Sequence, residues 1–252
     1  MNGDIILETR NLTKEFKGFL AVNDVNLSIK RGTIHALIGP NGAGKTTVFN
    51  LLTKFLTPSA GSIFYRGEDI TAREPAEIAH RGIIRSFQIS AVFPHLTVLE
   101  NVRLGLQRKT GMSFHFWKSE KALASLDGRA MELLEAVDLK SFAQTLTVEL
   151  PYGRKRALEI ATTLALEPEL MLLDEPTQGM GHEDIGRVTE LIKRVATNRT
   201  ILMVEHNLSV VAHLSDTITV LAHGSVLAEG PYEEVSNNRA VLEAYVGTAD
   251  AH

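Results

Sequence analysis

The chain has 252 residues, 44% of them hydrophobic and 22% charged, which suits one large globular domain or a core with a smaller lobe. A formal net charge of −4 supplies no global basic field for nucleic acid, and the lack of cysteine excludes disulfides, thiolate metal sites and thiol catalysis. No apolar run approaches the roughly 20 residues that span a bilayer, and Met1-Asn2-Gly3-Asp4 lacks the basic-then-apolar layout of a signal peptide. A cytosolic chain is expected, with any membrane role reached through a partner.

Residues 5–8 and 25–29 read as short strands, the second with strict alternation. Between them lies Phe16, whose ring is either a strand-edge core aromatic or a flat surface for an adenine. Residues 33–38 are an apolar run predicted to be a buried strand. It leads into Gly39-Pro40-Asn41-Gly42-Ala43-Gly44-Lys45-Thr46, the phosphate-binding pattern G-x-x-x-x-G-K-[ST]. The three glycines let bare N–H groups approach phosphate oxygens. Lys45 supplies charge at the β/γ-phosphates, the Thr46 hydroxyl is placed for Mg²⁺, and the following helix, which begins with Thr46 and Thr47, points its positive end at the anion. That helix is predicted to run to Phe55, with a turn at 58–61 and a strand over 62–65.

Residues 74–80 read as a helix and 82–87 as extended chain. Gln88 follows, either a solvated polar residue or a group that reaches Mg²⁺ or an attacking water. From 89 to 167 the spacing is helical, with segments at 98–106, 114–126, 129–137 and 151–166. The Phe114-His115-Phe116-Trp117 cluster is either packing for that helical region or a partner contact. Leu170-Met171-Leu172-Leu173 is a run suited to a strand covered on both faces. It ends in Asp174-Glu175, where ligands of parallel sheets sit. Asp174 is placed to hold Mg²⁺ through a water and Glu175 to polarise the attacking water. Residues 186–196 are predicted helical and 200–204 a buried strand, followed by Glu205-His206. His206 is either a structural imidazole or a site residue. An antiparallel pair over 217–222 and 226–229 and two short helices over 232–235 and 240–246 close the chain, with a frayed tail from Thr248.

Taken together these pieces resemble the ATP-binding-cassette ATPases, and the resemblance covers the chain from Phe16 to the last helix. Leu150-Pro151-Tyr152-Gly153-Arg154 occupies the position of that family's signature, usually Leu-Ser-Gly-Gly-Gln. The resemblance implies an α/β fold: a RecA-like P-loop core with an antiparallel β subdomain, residues 1–88 and 168–252, and a helical, signature-bearing subdomain, residues 89–167. It implies ATP and Mg²⁺ as ligands, Phe16 stacked on adenine, Gln88 and His206 as sensors of the γ-phosphate, and Glu175 as general base. Two ATPase subunits would face each other head to tail, with Pro151, Tyr152 and Gly153 over the partner's nucleotide.

Residues 19–27, the Arg85-Ser86-Phe87-Gln88 stretch with Phe93 to Val102, the insert at 107–127, Leu158-Glu159-Ile160-Ala161 and Val204 to Leu208 resemble the longer ATPase subunit of branched-chain amino-acid importers. Urea and short-amide importers and lipopolysaccharide exporters share part of this set. The implied partners are permease subunits, a second ATPase subunit and, indirectly, a solute-binding protein, and the implied place is the cytoplasmic face of the cell membrane. A soluble cassette ATPase acting on nucleic acid or ribosomes, or a small-molecule kinase sharing only the P-loop, are competing readings. Two departures stand out. Pro151 replaces the signature serine, and Gln178-Gly179-Met180-Gly181-His182 replaces the usual Ser-Ala-Leu-Asp loop, which implies a weaker composite site on this chain's signature.

Overall fold

The computed structural model describes residues 4–86, 92–109 and 126–246. Its first element pair is one long hairpin where the sequence predicted two short strands and a connection. β1 (Ile5–Phe16) and β2 (Phe19–Lys30) pair antiparallel about Lys17-Gly18. Both turn residues have positive φ, 50° and 89°, the primed turn whose twist suits a two-residue hairpin loop. In β2 Val25, Leu27 and Ile29 are buried while Asn26, Ser28 and Lys30 are exposed, so the sheet has one wet face.

β3 (Ile34–Ile38) is buried at every position and feeds the P-loop, which opens α1 (Lys45–Leu52). That helix stops short of the predicted Phe55. The Thr53 hydroxyl donates to the Phe49 carbonyl at 2.7 Å, and Lys54 turns to a φ of 62°. β4 (Ala60–Tyr65) and β5 (Glu68–Asp69) extend the first sheet, and α2 (Pro75–His80) leads into β6 (Ile83–Ser86).

Among the described residues three α-helices follow: α3 (Val98–Lys109), α4 (Asp127–Ala136) and α5 (Tyr152–Leu164). Most of the helix predicted over 114–126, with the Phe114–Trp117 cluster, lies outside the described residues, as does Gln88. β7 (Leu170–Asp174) then precedes α6 (His182–Ala196), which starts four residues earlier than predicted. Glu183 and Asp184 in its first turn suit the positive end of a helix. β8 (Thr200–Val204) is followed by α7 (Leu208–Leu214), a helix the sequence reading did not anticipate. The Asn207 side chain caps it, accepting from the N–H groups of Ser209 and Val210 at 3.0 and 3.3 Å. β9 (Thr217–Ala222), β10 (Ser225–Gly230), α8 (Tyr232–Ser236) and α9 (Arg239–Val246) complete the order.

The strands form two sheets, β2-β1-β4-β5 and β10-β9-β3-β8-β7-β6. In the second, β9, β3, β8, β7 and β6 run parallel, and β10 is antiparallel at the edge. Its central strands are apolar throughout because both faces are covered, and alternate residues enter different cores. Leu170, Leu172, Leu202, Val204 and Leu37 pack with α1 and the inner face of the antiparallel sheet. Met171, Leu173, Ile201, Met203, Ala36 and Ile38 pack with α3 to α7 and the C-terminal helices. The loops at the C-terminal ends of β3, β7 and β8 therefore open side by side between two rigid layers.

Candidate functional site

The P-loop is set by backbone demands. Gly39 leaves β3 with a φ of 147°, and a Cβ there would overlap the Leu221 carbonyl of β9. Gly44 has a φ of 101° and lies against the Ala21 carbonyl of β2, where a Cβ would come within 2.5 Å. Both positions exclude any other residue, for conformation and for space. The Gly224 N–H donates to the Ala43 carbonyl at 3.1 Å, so the β9–β10 turn braces the loop from outside.

Lys45 is buried, and its ammonium donates to the carbonyls of Gly39 at 2.7 Å and Pro40 at 2.9 Å. An ammonium has three donors, so these two bonds aim the side chain and leave one for a phosphate. Burial pushes the Lys45 ammonium below its ordinary range, and the nearby negative charge of Glu175 opposes that shift. Gly44 caps α1 with no side-chain acceptor, so the first N–H groups of that helix face outward to an anion.

The carboxylates arrive from the neighbouring strand. Asp174 ends β7, and its carboxylate pairs with Arg85 of β6. Arg85 also donates to Asn50 at 2.7 Å. Asn50 stands one turn beyond Thr46 on the same face of α1, so this guanidinium bridges α1 and the end of β7. Glu175 is the next residue, held at a φ of 45° with its N–H donating to the Val204 carbonyl at 2.9 Å. That conformation turns its side chain to His206 beyond β8, and the two are in direct contact. Against an ionised carboxylate the imidazole Nε2–H is the donor. Of the residues singled out from sequence, Glu175 touches His206 and its charge acts on Lys45, with Asp174 and Thr46 the chain neighbours of Glu175 and Lys45.

Phe16 sits at the end of β1, 42% exposed, with the Lys14 ammonium 5.2 Å from its ring centroid. Its cross-strand partner is Phe19, two residues before the Ala21 that packs on Gly44, so the hairpin end flanks the P-loop. Pro151 caps α5, and the hydroxyl of Tyr152 donates to the Gln178 carbonyl at 3.1 Å. Gly153 is buried so closely on Asp184 of α6 that a Cβ would lie 2.7 Å from that carboxylate.

Sequence reasoning missed three supporting groups. Glu205 is 3% exposed and accepts from the N–H groups of Thr177, His206 and Asn207 at 3.0, 2.7 and 2.9 Å, clamping the loop after β7 to the loop after β8. It follows an apolar run in the same way as Asp174, and that signal was available. Arg85 and Arg156 were not separable by spacing from ordinary surface cations. Arg156 donates to the Asp174 carbonyl at 3.2 Å and pairs with Glu159 inside α5.

Residues 22–178 match the model of the ABC transporter family, and residues 225–251 match that of the branched-chain amino acid ATP-binding cassette transporter. The chain is 37% identical to the high-affinity branched-chain amino acid transport ATP-binding protein BraF of Pseudomonas aeruginosa, covering 97% of this chain and 98% of that one. It is 39% identical to the protein of the same description, LivG, of Escherichia coli strain K12, again over 97% and 98%. Among solved structures, the ADP conformation of an ATP-binding cassette of an ABC transporter superposes with a TM-score of 0.84 at 29% identity, covering 96% of this chain and 99% of that one. A P-loop with its lysine aimed, a carboxylate pair at the end of the adjacent strand and likeness over nearly the whole length converge on one assignment: this chain belongs to the ABC transporter family, as one of its ATP-hydrolysing subunits.

Proposed function

We propose that the chain is the energy-coupling subunit of an importer for branched-chain or related hydrophobic amino acids. The observation that carries this reading is the match of residues 225–251, a stretch beyond the general cassette match, to the branched-chain amino acid cassette model. Two bacterial relatives alike over nearly their full length bear the same description.

In this reading backbone N–H groups from Asn41 to Thr47 receive the phosphates of ATP, with Lys45 directed by its two carbonyl bonds. Phe16 stacks on the adenine. Thr46, Gln88 and Asp174 would hold Mg²⁺: a hydroxyl, an amide and a carboxylate are the oxygen donors a hard cation takes, and Arg85 fixes the Asp174 carboxylate in place. The ion, when bound, offsets charge on the β/γ-phosphates. Glu175 takes a proton from the attacking water as the bond from the γ-phosphorus to the ADP oxygen breaks. His206 steadies that carboxylate and, with Gln88, registers the γ-phosphate.

The remaining roles follow the same frame. Residues 1–88 and 168–252 are the nucleotide-binding core with its β subdomain, and 89–167 the helical lobe. A groove between α2, β6, α3 and α5, with Phe55 and Phe93 exposed on its rim, is the place for a permease segment. Among the described residues no helix is long and apolar enough to cross a membrane, so attachment to the cytoplasmic face runs through the permeases. A second ATPase subunit closes over the site, and Pro151, Tyr152 and Gly153 cover its nucleotide in turn. Pro151 brings no hydroxyl, so that second composite site turns over more slowly.

The test replaces the native chain by Glu175→Gln in its own cells and measures labelled leucine, isoleucine, valine and urea uptake. Leucine, isoleucine and valine uptake should fall at least about a hundredfold, the scale of losing a general base, and further than when the partner subunit's glutamate is changed. Loss of urea uptake with leucine uptake intact would reject the substrate class.

A further inference from the structure

Glu175 stands in a backbone conformation that has to be held in place. Its φ of 45° lies in the left-handed region, which a residue with a side chain keeps only where its surroundings impose it. On one side β8 fixes it, through the Glu175 N–H on the Val204 carbonyl at 2.9 Å. On the other side the chain makes a tight turn, in which the Gln178 N–H donates to the Glu175 carbonyl at 3.1 Å. Glu205 holds Thr177 inside that turn, but Gln178 and Gly179 beyond it are exposed.

The restraint on the exposed side comes from α5. The Tyr152 hydroxyl donates to the Gln178 carbonyl at 3.1 Å, and a Cβ on Gly179 would stand 3.7 Å from the same oxygen, an ordinary contact distance. The end of the phenol therefore lies along the peptide that it bonds. One helical turn further on, Arg156 donates to the Asp174 carbonyl at 3.2 Å, so α5 grips the chain both before and after Glu175. Gly153, pressed on Asp184, gives this end of α5 no room to slide towards α6. A phenol has one proton to donate. Here it is spent inside the chain, which leaves the hydroxyl no donor for a nucleotide on a partner.

We propose that Tyr152 is a positioning residue for Glu175 of its own chain: its hydroxyl holds the Gln178 carbonyl and so keeps the turn that aims the carboxylate at His206. The start of α5 and the carboxylate then move as one body. A shift of Pro151 to Gly153 misaligns Glu175 and slows turnover on this chain's own P-loop, while the P-loop itself, attached to other elements, binds nucleotide as before. The consequence for turnover rests on the reading of Glu175 as general base.

The experiment compares the full chain with Tyr152→Phe, which keeps the ring and removes only the hydroxyl. Hydrogen exchange without nucleotide, followed by mass spectrometry, should be about two- to tenfold faster in a peptide covering residues 175–181, the range one net hydrogen bond supplies. A peptide covering residues 39–47 should exchange at the wild-type rate. In ATP hydrolysis kcat should fall by a similar factor, with KM for ATP and the affinity for ADP within a factor of about two. Added to Glu175→Gln, the same substitution should leave the residual rate unchanged, since no base remains to be aimed. A further drop of the same factor would put the work of the hydroxyl on the partner's nucleotide and overturn the proposal. Unchanged exchange over 175–181 overturns it as well, whatever happens to turnover. Wild-type turnover in Glu175→Gln alone would instead reject the general-base reading, and the exchange comparison would still decide whether Tyr152 holds the turn.

Discussion

At Gly39 a side chain as small as a methyl group would overlap a backbone carbonyl, and the φ of 147° is one that L residues rarely adopt. Gly42, in the same loop, has a φ of 78° but open space where a Cβ would stand. The two alanine substitutions should therefore separate strain from collision. Gly42→Ala is expected to cost about 1 kcal/mol of stability through its backbone alone. Gly39→Ala adds a collision with a strand that cannot yield, for at least about 2 kcal/mol in all, or roughly 4–8 °C in a chain of this size. Thermal unfolding of the two variants checks it, and equal shifts would mean that β9 moves aside. The same residue explains what could be read at this scale. The P-loop was legible because its glycines are local requirements with fixed spacing. Arg85 and Arg156 were not, because their work lies in contacts 35 and 18 residues away along the chain.

Helix α5 is tied to the site by one buried ion pair. Arg156 is 4% exposed and Glu159 1% exposed, and they pair within the helix while Arg156 also reaches the carbonyl of Asp174. Burial raises the pKa of the Glu159 carboxyl against the pull of the guanidinium. A buried pair contributes little net stability, but removing one member strands the other. Arg156→Met alone should cost about 3–5 kcal/mol, and Arg156→Met with Glu159→Leu should recover most of it. A double-mutant cycle on urea unfolding measures this; additive losses would show that the pair is not a unit. The double variant should still hydrolyse ATP more slowly, since the Asp174 carbonyl loses its donor. Helix periodicity predicted α5 itself, yet nothing in that periodicity distinguishes a helix that packs on a sheet from one that also holds the end of a catalytic strand. Similarly α7 escaped notice because seven residues give too few turns for a period, and its best mark was the capping Asn207.

At the scale of the whole molecule the large sheet divides two cores, and the division was half visible. Runs such as Leu170 to Leu173 announced a strand covered on both faces, but which cover lay on which face is decided by the path of the chain. His35 shows what that double cover does to a polar residue. It is 1% exposed in β3, on the same side as Leu37, and its Nε2 lies 2.7 Å from the Thr219 hydroxyl. That hydroxyl spends its only proton on Glu229 at 2.6 Å, so it accepts from His35, and the imidazole is the neutral Nε2–H form. Burial lowers the His35 pKa from 6.5 to about 4. In the unfolded chain the imidazole gains its proton near pH 6.5, whereas the folded protein resists until about pH 4. The unfolded state therefore binds more protons between these values. Stability contributed by the neutral ring is complete above pH 6.5 and is lost as pH falls through that window, to a total on the order of 3 kcal/mol. His35→Gln keeps a donor for Thr219 and removes the titration. Urea unfolding at intervals from pH 7 to 4.5 should show a shallower acid slope in this variant than in the wild type. Parallel slopes would place the acid sensitivity in other groups and make His35 a neutral bystander.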